Sequence, residues 1–305
     1  EMTSSLVGSE MCIRDRLEAA MTRILKGSTV SKLIMEKTRK DIEVLHAIGV
    51  MPVLCIIRVG DNPDDVSYEN GAVKKAISLG IGVQKKVLDK NASQEEIIRV
   101  IETANRDDSI HGIMVFRPLP NHIDDAAVRN ALDPRKDVDG ISDKSLAGVF
   151  TGSNVGYPPC TAQACIEILD NTGIEVSGKR AVVAGRSLVV GKPAAMMLLK
   201  RNATVTICHT KTDDMPSVCR EADILIVAVG KAGVIGRDYI NKGQTVIDVG
   251  INSAPDGTLC GDVRYDEALG IAGAITPVPG GVGAVTTAVL MKHVVDAALR
   301  MSKRN

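Results

Sequence analysis

Short runs of branched aliphatic residues alternate with longer segments of helical periodicity along nearly the whole chain. Strands separated by helices return to a shared sheet side by side and parallel, so the alternation restricts the chain to an α/β architecture with parallel sheets. The run Pro52 to Val59, PVLCIIRV, reads as a buried strand halted by the turn residues Gly60-Asp61-Asn62-Pro63. A helix over about 66–79, a strand near 81–88, a helix over 93–105 and a strand from His111 to Phe116 come next. Ser93 and Glu96 have the spacing of a capping box at the start of the second of these helices. Ahead of them, Leu33, Ile34, Ile42 and Leu45 fall at helical spacing and predict a long amphipathic helix between Leu17 and about Ile48, ended near Gly49. The second half repeats the pattern with strands at 181–185, 203–208, 224–229 and 245–249 and a final helix over about 284–301.

A chain of 305 residues exceeds what one hydrophobic core usually organises, so two domains are expected, with the loop-rich stretch Thr151 to Pro159 as their connection. Lys plus Arg equals Asp plus Glu at 37 each, which removes the basic footprint of a nucleic-acid or membrane-surface protein and leaves a small molecule as the expected partner. The seven cysteines show no CxxC pair and no histidine lies at metal-ligand spacing, so reduced thiols, no metal and a cytoplasmic setting are expected. The uncharged run Ala268 to Met291 is long enough for a membrane span, but Pro277, Pro279, Gly280, Gly281 and Gly283 break it into a loop and a buried helix. Residues 1–16 lack the apolar core of a secretory signal and join poorly to the helical pattern after them, reading as translated adapter sequence or a disordered extension.

The clearest candidate site begins where the strand Ala181 to Ala184 runs into Gly185, followed by Arg186, Ser187, Leu188, Val189, Val190, Gly191 and a helical pattern. A helix start offers unpaired backbone N–H groups to a pyrophosphate, and glycine lets the backbone approach it closely. The spacing departs from GxGxxG, since Gly185 and Gly191 are six apart and Ser187 stands at the middle glycine position, so a plain strand-turn-helix connection remains open from the loop alone. The next strand ends Cys208-His209-Thr210-Lys211-Thr212, where an NAD site carries a carboxylate for the ribose hydroxyl. With no carboxylate there, and with Thr210, Lys211 and Arg186 able to bind a 2′-phosphate, NADP is favoured. Gly230 and Gly250 come after later strands, at the carboxyl edge where open parallel sheets bind ligands.

Several stretches, in order, resemble the methylenetetrahydrofolate dehydrogenase/methenyltetrahydrofolate cyclohydrolase family of the bifunctional FolD type. They are KDVDG (136–140), PPCTA (158–162), GRSLVVGKP (185–193), CHTKT (208–212), VIDVGIN (246–252), GDV (261–263) and TPVPGGVG (276–283), within coverage of about 24–300. The resemblance implies a folate-binding α/β domain over 17–155 plus 284–305, a Rossmann-like NADP domain over 156–283, an active-site cleft between them, and a homodimer. It implies that Tyr68 stacks along the aminobenzoate of a tetrahydrofolate substrate and that Asp139 recognises the pterin, while Pro277, Gly280 and Gly281 line the substrate side of the cleft. It implies a cofactor site of Gly185, Arg186, Ser187, Gly191, His209, Thr210, Lys211, Gly230 and Ile251.

The chain departs from the family pattern in three stretches. Ala284-Val285 stands where Pro-Met usually follows GGVG. The family's acid/base lysine, four residues after the tyrosine, is Ala72, and GILVQLPLP reads GIMVFRPLP, with Phe116 at the glutamine and Arg117 beside it. Proton transfer by a positioned side chain is worth about a hundred- to ten-thousandfold, so Ala72 should cripple hydrolysis unless another group replaces the lysine. Lys75, seven residues from Tyr68 on the same helical face, is the candidate; Arg117 is a poor base because guanidinium does not deprotonate in proteins. The expected activity is NADP-dependent oxidation of 5,10-methylenetetrahydrofolate, with hydrolysis to 10-formyltetrahydrofolate in question. Two alternatives stay open on the residues: an NADP-linked dehydrogenase with another small substrate, and a folate- or nucleotide-binding protein without turnover.

Overall fold

A computed structural model describes residues 21–303. The expectation for residues 1–16 lies outside these. In chain order the elements are β1 (Arg23–Ile24), α1 (Gly27–Ala47), β2 (Val53–Val59), α2 (Pro63–Leu79), β3 (Gly82–Leu88), α3 (Gln94–Arg106), β4 (Gly112–Val115), α4 (Asp125–Asn130), α5 (Asp143–Thr151) and α6 (Cys160–Asn171). Beyond them lie β5 (Arg180–Ala184), α7 (Gly191–Lys200), β6 (Thr204–Cys208), α8 (Met215–Arg220), β7 (Ile224–Val227), β8 (Thr245–Asp248), β9 (Asn252–Ser253), β10 (Leu259–Cys260), α9 (Tyr265–Ala268), β11 (Ala274–Ile275) and α10 (Val282–Ser302).

The first sheet has the order β3-β2-β4, all parallel. Its middle strand VLCIIRV is buried nearly throughout, as a continuous apolar run between two helical layers should be. Asn62 caps α2 by accepting from Asp64 N at 2.9 Å, and Pro63 stands in its first turn, where a missing N–H costs nothing. The carboxylate of Glu69, 3% exposed, binds Arg58 Nε at 3.0 Å and Lys85 Nζ at 2.7 Å, tying α2 to β2 and β3. Ser93 caps α3 by accepting from Glu96 N at 3.2 Å, in line with the spacing of those two residues.

The second sheet has the order β1-β11-β8-β7-β5-β6 and is parallel throughout. From β5 the chain passes to β6 on one side and then crosses to β7 on the other, so the strand order reverses at β5, where such sheets bind ligands. Helix α10 packs against α1 and α6 and fills the ground between the sheets. It is long and apolar enough to cross a membrane, but 61% of its apolar window is buried inside the fold, as the broken uncharged run implied.

The N-terminal helix starts later than its periodicity suggests. Residues 17–20 lie outside the described part, and the helix begins at Gly27, preceded by β1, which pairs with β11 in the far sheet. The cause is tertiary: Gly27 N donates to the Gly280 carbonyl at 2.8 Å, and a Cβ on Gly27 would collide with the Gly281 carbonyl oxygen. The short antiparallel pair β9–β10 is also absent from the sequence expectation.

Candidate active site

A cleft of about 910 Å³ opens between the two sheets. Its first wall carries Tyr68 from α2, Phe116 and Arg117 after β4, and Asp139; its second carries Asp248, the last residue of β8, and Val249 to Ile251 beyond it; the Pro277–Ala284 segment closes one side. Pro277, Gly280, Gly281 and Ile251 therefore all face the space in which the sequence placed ligands.

Asp139 is held by a turn whose other polar groups are satisfied internally. Asp137 is fully buried and accepts from Ile141 N at 3.1 Å, Ser142 N at 2.9 Å and Ser145 Oγ at 2.6 Å. The Val138 carbonyl accepts from His293 Nδ1 at 2.8 Å and from the Cys160 thiol at 3.3 Å. Burial pushes His293 down to about 4, so it is neutral and serves as a fixed donor. Burial also pushes the Cys160 thiol well above its usual range, which leaves it unreactive. Asp139 is what this scaffold leaves facing the cleft. Burial there, with Asp137 adding to it, raises the Asp139 carboxyl to about 7 against the pull of Cys160 and Arg117. The two aspartates of KDVDG thus divide: Asp137 builds the turn and Asp139 presents a carboxyl group to the cleft.

Tyr68 stands over Phe116 edge to face, with ring centroids 5.9 Å apart and planes at 79°. It is 39% exposed on its cleft side. Burial of the hydroxyl raises its pKa, so the ring enters the site as a neutral surface. Ala72 is 1% exposed and does not reach the cleft lining. Lys75 does not reach it either. It lines a separate depression with Ser28, Ser31, Lys32, Met35, Glu36, Arg39 and Ala284, which corrects its expected role as the replacement base. Seven residues return a helix to nearly the same azimuth, but they also move along the axis by about 10 Å, which carries the amine past the cleft. Arg117 forms a bidentate pair with Asp125, Nε to Oδ1 at 2.6 Å and Nη2 to Oδ2 at 2.8 Å. Arg129 adds a bond to the same carboxylate at 2.8 Å and another to Asp143 at 2.9 Å. Burial alone would raise Asp125, but the two guanidinium groups outweigh it and hold the carboxyl below its usual range.

The cofactor candidates lie beyond the cleft on the open carboxyl edge of the second sheet: Gly185 after β5, His209 to Lys211 after β6, Gly230 after β7. The turn between β5 and α7 is tight, because a Cβ on Gly191 would strike the Gly185 carbonyl. Ser187 Oγ accepts from Val190 N at 3.1 Å, so this side chain caps the loop while Arg186 stays exposed. After β6, Thr212 Oγ1 accepts from His209 N at 2.9 Å and His209 Nδ1 accepts from Lys211 N at 3.1 Å, a closed turn that presents Thr210 and Lys211 outward. These cationic and hydroxyl groups, with no carboxylate in 208–212, fit a phosphorylated dinucleotide.

Two residues that the sequence left without a role complete the edge. Asp262, fully buried, accepts from Val229 N at 2.7 Å, Gly230 N at 2.8 Å, Lys231 N at 2.9 Å and Asn252 Nδ2 at 2.9 Å, fixing the loop after β7. Asp248 accepts from Gly250 N at 2.9 Å, Asp262 N at 3.1 Å and Val263 N at 3.0 Å, and burial raises its carboxyl to about 6. The signal was present in VIDVGIN and GDV, each an acidic residue embedded in an apolar strand or its end.

Comparison with known proteins agrees with this geometry. Residues 25–139 match the tetrahydrofolate dehydrogenase/cyclohydrolase catalytic domain and residues 159–302 the NAD(P)-binding domain of the same enzymes. The bifunctional protein FolD 1 of Desulfitobacterium hafniense is 48% identical over 277 residues, covering 91% of this chain and 99% of the relative. The crystal structure of the bifunctional FolD enzyme of Campylobacter jejuni superposes with a TM-score of 0.89 at 37% identity, over 92% of this chain and 99% of that one. The Trypanosoma brucei FolD structure, complexed with NADP cofactor and inhibitor, superposes with a TM-score of 0.87 at 34% identity, over 93% and 99%. With matched domains covering most of its length and a cleft between them, this chain belongs to the tetrahydrofolate dehydrogenase/cyclohydrolase family.

Proposed function

We propose that the protein oxidises 5,10-methylenetetrahydrofolate to the methenyl form with NADP and releases that product without accelerating its hydrolysis. The observation that carries this reading is the cleft itself, which sets Tyr68 and Asp139 across from the carboxyl edge of a parallel sheet while offering no basic side chain from α2. NADP, when bound, supplies the hydride acceptor.

The rest is positioning by the chain's own residues. Asp139 accepts hydrogen bonds from the amino-pyrimidine edge of the pterin, and the Tyr68 ring lies along the aminobenzoyl group. The Pro277–Gly283 segment excludes water from the reacting carbon. The methenyl cation is stabilised by its two flanking nitrogens, so this step needs alignment rather than a protein base. Arg186, Thr210 and Lys211 hold the 2′-phosphate, and the backbone from Gly185 to Gly191 receives the pyrophosphate, with His209, Gly230 and Ile251 completing the cofactor's surroundings. Hydrolysis is different, because water must lose a proton to a group in the cleft. Ala72 has none to offer, Lys75 opens elsewhere, and Arg117 is both committed to Asp125 and unable to deprotonate.

The same reading takes 17–155 plus 284–305 as the folate-binding domain and 156–283 as the NADP domain, and the protein as a cytoplasmic homodimer. Purified protein given methylenetetrahydrofolate and NADP should form NADPH, with NAD a much poorer substitute, and the methenyl absorbance should decay no faster than without protein. Absence of NADPH formation, with no competition by folate analogues, would refute the assignment.

A further inference from the structure

Arg117 stands where the family pattern GILVQLPLP has leucine, and its neighbours along the cleft wall, Met114, Val115, Phe116, Pro118 and Leu146, are apolar. A guanidinium on such a wall loses hydration that only hydrogen bonds replace. Asp125 replaces part of it, its two carboxylate oxygens accepting from Nε at 2.6 Å and Nη2 at 2.8 Å. Nη1, the third nitrogen of the fork, has no hydrogen-bond partner among the described residues. A planar fork gripped on one edge aims its remaining donors in a fixed direction, which a lysine or a solvated arginine does not do.

The fork is also fixed relative to Asp139. Arg129 Nε donates to Asp125 at 2.8 Å, and Arg129 Nη1 donates to the Ile141 carbonyl at 2.9 Å, two residues beyond Asp139 in the same turn. Arg117, Asp125, Arg129 and the Asp139 turn therefore form one framework, and Arg117 and Asp139 line the same cleft. The charge is felt across it: burial raises the Asp139 carboxyl, and Arg117 is one of the groups that pull it back down. Arg129 remains bound to both Asp125 and the turn without any help from Arg117, so the guanidinium of Arg117 is not what holds the framework together.

A carboxylate and a guanidinium side by side match a ring edge on which two donors adjoin one acceptor. In a 2-amino-4-oxopteridine the 2-amino group and N3–H donate, and the C4 oxygen beside them accepts. Asp139 satisfies the donors but repels the oxygen, and an apolar side chain at position 117 leaves that oxygen without a partner. We propose that Arg117 is a specificity-determining residue whose Nη1 donates to the C4 oxygen of the pterin held by Asp139. This rests on the folate reading of the cleft. A hydrogen bond from a charged donor shifts binding by about ten- to a hundredfold. A site built to supply it rejects a ring that lacks the acceptor.

The test measures calorimetric Kd on the full protein for tetrahydrofolate and for its 4-thioxo counterpart, which keeps the amino group and N3–H and replaces the oxygen with a weakly accepting sulfur. The proteins are the parent, Arg117→Leu and Arg117→Met, the last keeping much of the length of the stem. The expected preference for the oxo ring is at least tenfold in the parent and about tenfold smaller in either variant that folds, with the loss falling on the oxo ring. The larger sulfur is present in every comparison, so the change of ratio reads the guanidinium. The C4 carbonyl stretch of bound tetrahydrofolate should also lie lower in the parent than in the variants. A ratio and a carbonyl stretch that stay the same on removing Arg117, or equal losses for both rings, overturn the role and leave the folate reading intact. If neither ring binds the parent and methylenetetrahydrofolate is not oxidised, the folate reading itself falls and the role of Arg117 with it.

Discussion

Placing a lysine at position 72 and a glutamine at position 116 should raise hydrolysis of the methenyl compound. Ala72 is 1% exposed and lies one turn along α2 from Tyr68, while Phe116 is 7% exposed and packs on that tyrosine. Ala72→Lys alone drives a four-carbon stem into a filled site, an overpacking that costs about 1–3 kcal/mol. Phe116→Gln alone forfeits the edge-to-face pair, about 0.5–1.5 kcal/mol, together with the burial of the ring, about 1.5–3 kcal/mol. Combined, the smaller glutamine leaves room for the lysine, so the double variant should be less destabilised than the sum of the singles by about 1 kcal/mol or more.

Desolvation at this position lowers the ammonium pKa toward neutrality, which gives an amine able to take a proton from water. Such transfer is worth about a hundred- to ten-thousandfold, or roughly 3–5 kcal/mol of barrier. The assay supplies methenyltetrahydrofolate directly and follows loss of its absorbance above the uncatalysed rate, with NADPH formation from the methylene substrate as the control for an intact cleft. A double variant that folds and still forms NADPH, yet hydrolyses the methenyl compound no faster than the parent, would refute the expectation that a lysine at position 72 extends into the cleft.

Asp139 gives a pH signature. Its carboxyl titrates near 7 in the ligand-free protein, and only the ionised form accepts both pterin hydrogen bonds, so kcat/KM should rise about tenfold per pH unit up to that value and then level, whereas Asp139→Asn should be weak and flat. The same group has a stability consequence of opposite direction: a carboxyl raised from 3.8 to about 7 favours the folded protein fully below the lower value and loses that contribution as pH climbs through the higher one. Melting of the ligand-free protein should therefore fall between about pH 4 and pH 7 more than in Asp139→Asn; an equal fall in both would exclude this carboxyl as the cause. Lys211→Glu should raise the KM for NADP at least tenfold and leave that for NAD within about twofold, since only the 2′-phosphate distinguishes them; parallel losses would move the phosphate site elsewhere. Asp262→Ala removes the acceptor of three backbone N–H groups and the Asn252 amide, so denaturant melts should show a loss of about 3–5 kcal/mol; a loss under 1 kcal/mol would mean that water replaces the carboxylate.

What the sequence made legible is what neighbours along the chain determine. The strand Val53–Val59 is readable because it is apolar at every buried position but one, and α2 because Asn62 and Pro63 announce its start. The two-residue strand β1 was not, since Arg23 and Ile24 have exposed side chains and gain their pairing only through backbone contact with β11, some 250 residues away. Lys75 shows a second limit. A helical wheel reports azimuth and discards axial distance, so a residue on the right face was assigned to a cavity it passes by. The aspartates show a third: KDVDG, VIDVGIN and GDV each display their carboxylates, yet whether one turns inward to hold N–H groups or outward to meet a ligand depends on partners far off in sequence. Ala72 and Phe116 differ from all of these, because their meaning came from what a related chain carries at the same positions. With alanine at the family's lysine position and an ordered aromatic pair beside it, the oxidation, which needs only alignment, depends less on these two positions than the hydrolysis, which needs a proton acceptor.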